Sequence, residues 1–189
     1  DFIKKMEAVG IRCRVFNPFV PGLNLFLNNR DHRKITVIDG KIGFTGGYNL
    51  ANEYFNLTHP YGQCKDTGIR LEGDAVRSLT VTFLEMWNAV SDKDENDTDL
   101  EQFLLEYSYE AQQTGFIQPY ADSPLDDEQV GEEVYISMAD KAEKYCWFMT
   151  PYLIITDEMA HALTLAAKRG VDVRIITPGI PDKKLVYNV

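Results

Sequence analysis

His32 and Lys34 stand two residues apart in the run Asp31-His32-Arg33-Lys34-Ile35-Thr36-Val37-Ile38-Asp39, whose second half is rich in strand-forming residues. Side chains two apart on a strand share a face, so the imidazole and the ammonium project together. A phosphodiester suits that pair. The Lys34 charge would hold the nonbridging oxygens as a compact point charge while the His32 ring nitrogen attacks phosphorus. Asp39 lies an odd number of residues from His32, so a straight strand turns it to the other face, and it reads as a structural member of the motif. The segment Gly46-Gly47-Tyr48-Asn49 follows. Gly46 and Gly47 allow close approach of backbone to a ligand and would supply backbone donors, and the Asn49 amide could donate to the same phosphate.

These residues need a scaffold, and the pattern around them predicts an α/β one. Leu23–Asn28, Arg33–Asp39, Ile42–Thr45 and Thr67–Leu71 read as strands of one sheet. Ala75–Val90 reads as an amphipathic helix with Val76, Leu79, Phe83, Met86 and Trp87 on the side that covers the sheet. Ser91–Glu101 and Asp122–Glu133 are dense in acid and read as solvated connections. Further on come an expected strand at Phe116–Tyr120, a helix at Glu132–Lys144, a strand at Cys146–Thr150 and a helix opened by Thr156-Asp157.

A phrase near the start recurs near the end. The helix Phe2–Val9, the terminator Gly10 and an expected strand at Ile11–Phe16 parallel the helix Met159–Arg169, Gly170 and an expected strand at Val171–Thr177. In this alignment Arg14 falls on Arg174, at an offset of about 160 residues. Two similar α/β halves follow as the expectation, with residues 1–91 in the first, an acidic linker at 92–113, and a truncated second half at 114–189.

With 29 acidic against 19 basic residues the net charge is -10, so the surface repels a phosphate backbone and nonspecific nucleic-acid binding is not expected. Hydrophobic residues make up 44% of the 189, ample for a packed core. Cys13, Cys64 and Cys146 follow neither disulfide nor zinc spacing and read as reduced thiols. The carboxylates lack converging spacing, so neither a metal nor another cofactor is implied. No stretch reaches the roughly 20 apolar residues of a membrane span, and the piece is expected to be soluble, cut from a parent that extends at both ends.

Taken together, His32, Lys34, Asp39, Gly46, Gly47 and Asn49, followed by Leu50-Ala51-Asn52-Glu53-Tyr54, resemble the first His-Lys-Asp motif of the phospholipase D superfamily in the form found in bacterial cardiolipin synthases. Val15-Phe16-Asn17-Pro18-Phe19, Lys65–Gly73, Thr150-Pro151-Tyr152 and Gly170–Ile175 extend the resemblance along nearly the whole chain. It implies a phospholipase D-like mixed sheet flanked by helices. It also implies a two-step phosphatidyl transfer through a phosphohistidine, from two phosphatidylglycerol molecules to cardiolipin and glycerol, beside a membrane on its cytoplasmic side and reached through parts of the parent outside this chain.

The wider superfamily often has Gly-Ser where this chain has Gly46-Gly47, so a hydroxyl contact is not implied. In the superfamily a carboxylate orients the catalytic ring, and Asp66 matches that position; pairing of Asp66 with Arg70 on the surface is the alternative. His161 and His59 lack a lysine two residues on, so a second motif is expected past Val189, or a homodimer in which each copy lends its histidine to the other. A hydrolase of the same superfamily and a noncatalytic phosphate-binding module are the competing functions.

Overall fold

The computed structural model describes residues 2–17, 31–90, 101–104, 106, 108–113, 115–123 and 128–180. The expected strand at Leu23–Asn28 and most of the acidic connection after Ser91 lie outside them. The chain forms two compact units, residues 1–54 with 65–119, and residues 55–64 with 120–189. The expected division at 92–113 does not mention the second excursion, in which 55–64 joins the later unit.

In the first unit, β1 (Ile35–Ile38), β2 (Ile42–Gly46) and β3 (Gly68–Glu72) make an antiparallel meander in that order. Asp39 and Gly40 connect β1 to β2, with φ of 53° and 66°, and the Lys41 N–H donates to the Ile38 carbonyl at 3.0 Å. Lys41 completes a three-residue connection between the paired Ile38 and Ile42, and the two successive left-handed residues turn the chain with the twist of the strands. The register pairs Ile35 with Thr45, and Thr45 with Ile69.

One face of this sheet is covered by α2 (Ala75–Ala89), whose Val76, Leu79, Thr80 and Leu84 are buried at helical spacing. Val76, Leu79 and Leu71 form the core, with Ile35 and Val37 of β1 packed against it. Gly43 lies under that helix; a methyl there would meet Leu79 Cδ1 at 2.8 Å, so a bare backbone is required. Thr80 donates its hydroxyl to the Val76 carbonyl at 2.8 Å, which satisfies a polar group inside the core. Phe83, expected on the covered side, is half exposed and stacks on Trp87 with ring centroids 6.0 Å apart.

The expected strand at Ile11–Phe16 does not form. After α1 (Phe2–Glu7) that segment passes the end of α2, where Arg14 lies 4.0 Å from the Trp87 ring and donates from Nη1 to the Trp87 carbonyl at 2.5 Å. A cation at a helix C-terminus meets both the unpaired carbonyls and the negative end of the dipole. Trp87 Nε1 is buried with no hydrogen-bond partner among the described residues, so there the ring contributes its face and its bulk. Phe116–Tyr120 is also not a strand: Phe116 is fully exposed and Pro119 cannot donate to a ladder.

The second unit is built from α3 (Val130–Lys141), β4 (Tyr145–Met149), α4 (Asp157–Lys168) and β5 (Asp172–Ile176), with β4 and β5 parallel. A parallel pair needs a crossover, and α4 is that crossover. Met159, Ala162 and Leu163 of α4 meet Ala139 of α3 in the core, flanked by Ile136, Phe148 and Val173. Thr156 caps α4 by accepting from the Met159 N–H at 3.2 Å, and Arg169 closes α3 by donating to the Ala139 and Asp140 carbonyls. A separate loop, 55–64, is clasped by Asn56, which donates to the Cys64 carbonyl at 2.8 Å and accepts from the Cys64 N–H at 2.7 Å.

Helices α1 and α4 end alike. Gly10 and Gly170 have φ of 85° and 93°, and the residue after each glycine donates back five positions, Ile11 to Met6 and Val171 to Ala166. This is the Schellman closure, common enough at glycines to arise independently. Beyond it the two copies differ, since β5 follows Gly170 and no strand follows Gly10. Their matched arginines also take different partners: Arg174 pairs with Asp172 and lies 4.9 Å from the ring of Trp147 on the neighbouring strand.

Candidate active site

The His32–Lys34 segment enters β1 as extended chain, so strand alternation sorts its side chains before the first ladder bond. Asp31 and Arg33 go to one side. There Arg33 donates from Nε and Nη2 to the Asp31 carboxylate at 2.9 and 2.7 Å. That hydrogen bond is the main cause holding the Asp31 carboxyl below its usual range, and it raises the Arg33 pKa. Arg33 also feels Glu85 of α2, which marks this as the helix-covered side.

Lys34 and Thr36 therefore belong to the uncovered side. Continuing the ladder one step past Ile35 and Thr45 sets Lys34 opposite Gly46, which itself pairs with Gly68. The row through Lys34 thus has two side-chain-free neighbours, and the space beside them is taken by the edge of the Tyr48 ring. The Lys34 Nζ donates to the His32 carbonyl at 2.6 Å, so the ammonium lies beside the His32 backbone. The His32 side chain is exposed.

Asp66 arrives on the chain leading into β3. Its Oδ1 accepts from the Thr67 N–H at 2.7 Å and lies where a Gly47 methyl would be, 2.5 Å from that ideal position. The Gly47 N–H in turn donates to the Thr67 carbonyl at 3.2 Å. Neither Gly46 nor Gly47 has positive φ; both are glycine because neighbours fill the space a side chain would take, the Thr67 carbonyl and Gly68 for Gly46 and the Asp66 carboxylate for Gly47.

Asp66 raises the Lys34 pKa electrostatically, as does Asp31, but partial burial is the larger cause and the net direction is down. A lysine whose pKa falls on folding binds fewer protons folded than unfolded in the window just below 10.5, so its contribution to stability rises with pH through that window. Denaturant titrations across the window should show that positive slope in the parent chain and its loss in Lys34→Met.

The structure brings together Lys34, Asp66, Gly46 and Gly47. Among the described residues His32 makes no side-chain hydrogen bond with Asp66. Arg70, the alternative partner of Asp66, pairs with Glu72. Asp39 stands apart, in the turn at the opposite end of β1, with turn geometry as its evident role. Asn49 is partly buried and its carbonyl accepts from the Ala51 N–H at 3.0 Å, opening the turns that lead to Tyr54. Tyr48, which drew no attention as an intervening position, has its ring over Gly46 and Gly68. Among the described residues no three His, Cys, Asp or Glu side chains gather as metal ligands would.

Residues 135–188 match a family model described as cardiolipin synthase, PLD-like domain. Relatives align along the entire chain. An uncharacterized protein of Streptococcus mutans is 48% identical over 187 residues, covering 99% of this chain and 40% of its own length. A cardiolipin synthase of Alkalihalophilus pseudofirmus is 35% identical over 190 residues, covering 100% of this chain and 37% of its own. A cardiolipin synthase 2 of Bacillus cereus is 35% identical over 188 residues, 99% of this chain and 36% of its own. The chain thus spans about two fifths of the length of these relatives. No solved structure matches it.

Proposed function

We propose that this chain, a relative of the bacterial cardiolipin synthases with their phospholipase D-like domain, supplies the His32–Lys34 half of a phosphatidyl-transfer site. One observation carries the proposal: Lys34 directly precedes β1, where the ladder continued one step sets it opposite Gly46 on the face away from α2, within electrostatic reach of Asp66. A lysine partly desolvated beside bare backbone is poised to gain from an anion, because a phosphate would restore the charged state that burial disfavours.

In this proposal Lys34 holds a nonbridging oxygen of phosphatidylglycerol, with Gly46, Gly47 and Asn49 around the same phosphate. A His32 ring nitrogen attacks phosphorus, the P–N bond forms as the P–O bond to the headgroup breaks, and glycerol leaves with a proton from a second acid. The hydroxyl of another phosphatidylglycerol then attacks the phosphohistidine, losing its proton to that same group and freeing the ring, which yields cardiolipin. Asp66 acts on the Lys34 charge.

The second acid belongs to a second His-Lys-Asp set, supplied by residues outside this chain or by another copy. Residues 1–91 and 114–189 are proposed as parts of two related halves, on the sequence match of the segments that begin at Gly10 and Gly170. The site would work at a membrane surface. Among the described residues no helix is long and apolar enough to cross one.

Labelled phosphatidylglycerol given to the complete protein should yield cardiolipin and free glycerol in equal amounts. Phosphatidic acid as the sole labelled product would reassign the site to hydrolysis.

A further inference from the structure

Tyr48 occupies the surface on which the phosphate is proposed to sit. Its ring edge takes the space above Gly68, and a Gly46 methyl would meet the same Cε1 at 2.9 Å. Both glycines lie in the row that continues to Lys34, on the face away from α2. Their lack of side chains therefore admits the edge of the Tyr48 ring onto the sheet surface in that row. Tyr48 is partly buried, yet among the described residues its hydroxyl makes no hydrogen bond. That hydroxyl stays accessible to solvent, and so to a ligand, whereas a ring needed only to cover glycine would be served equally by phenylalanine.

We infer that Tyr48 is a substrate-positioning residue whose phenolic O–H donates to a phosphate oxygen held by Lys34, and that Gly46 and Gly68 are glycine to admit its ring. This rests on the phosphate site proposed above. The hydroxyl would add one directional bond to the point charge of the lysine, fixing which oxygen faces which side. Proton transfer is not part of its role.

Inorganic phosphate binding to the purified chain, followed by phosphorus NMR line broadening, tests both ideas separately. Lys34→Ala should abolish saturable binding. Tyr48→Phe, which keeps the ring on the glycines, should weaken binding about fivefold, the loss typical of one hydrogen bond, at unchanged thermal stability. Gly68→Ala should weaken it at least as much by dislodging the ring. Tyr48→Phe binding like the parent chain, while Lys34→Ala does not bind, overturns the role of Tyr48 and leaves the site standing. Absence of binding by the parent chain, or normal binding by Lys34→Ala, overturns the site itself and Tyr48 with it. In the complete protein, the same Tyr48→Phe change should raise KM more than it lowers kcat, whereas a purely structural residue would show neither.

Discussion

Replacement of His32 by Ala in the complete protein should lower phosphatidyl transfer by about 10³-fold or more, because it removes the atom to which phosphorus is proposed to bond. Little else should change. The His32 side chain is exposed and packs into no core, so circular dichroism and thermal unfolding should match the parent. Phosphate binding should persist, since the lysine charge and the glycine row are untouched. Acid-labile label on the protein after brief exposure to phosphorus-labelled substrate should disappear in the same variant. Full activity in His32→Ala would remove the chain from the chemistry and favour a phosphate-binding module.

Leu79→Ala should cost the first unit about 3 kcal/mol, within the range seen when a buried leucine is cut back and the cavity cannot collapse. Collapse is difficult here. Leu79 packs onto Gly43, which has no side chain to move into the gap, and onto Leu71 and Val76, which are themselves buried. The measurement is urea unfolding in a Trp147→Phe background, so that Trp87 on α2 reports alone. The midpoint should fall with the slope unchanged. An unchanged midpoint would mean that α2 is not held to the sheet by this contact.

Part of the sheet was legible because it follows from strand alternation, with Ile35 and Val37 packed toward α2 and Thr36 and Ile38 exposed. Helices α2 and α4 were legible for the analogous reason, as were the glycine closures. The Asp39-Gly40 turn could have been read from its dipeptide, which would have placed Asp39 away from the phosphate at once.

Other features depend on contacts distant in sequence. Ile11–Phe16 has the composition of a strand, but Arg14 finds Trp87 seventy-three residues away, and among the described residues no strand pairs with the segment. The place of Asp66 beside Gly47, and of Tyr48 above Gly68, depends on register across three strands. A list of motif positions treats Tyr48 as filler. Phe83 was assigned to the covered side by its apolar character, whereas the sheet already had Leu79 and Leu84 filling the available width.

The Asn56–Cys64 clasp has an engineering consequence. Its two hydrogen bonds already set the span between the ends of the loop, so lengthening the stretch between them alters mainly chain entropy, at about 0.6 kcal/mol per doubling. A short epitope or a fluorophore-bearing insert placed there should leave the anchoring geometry intact, making this the natural position for a reporter.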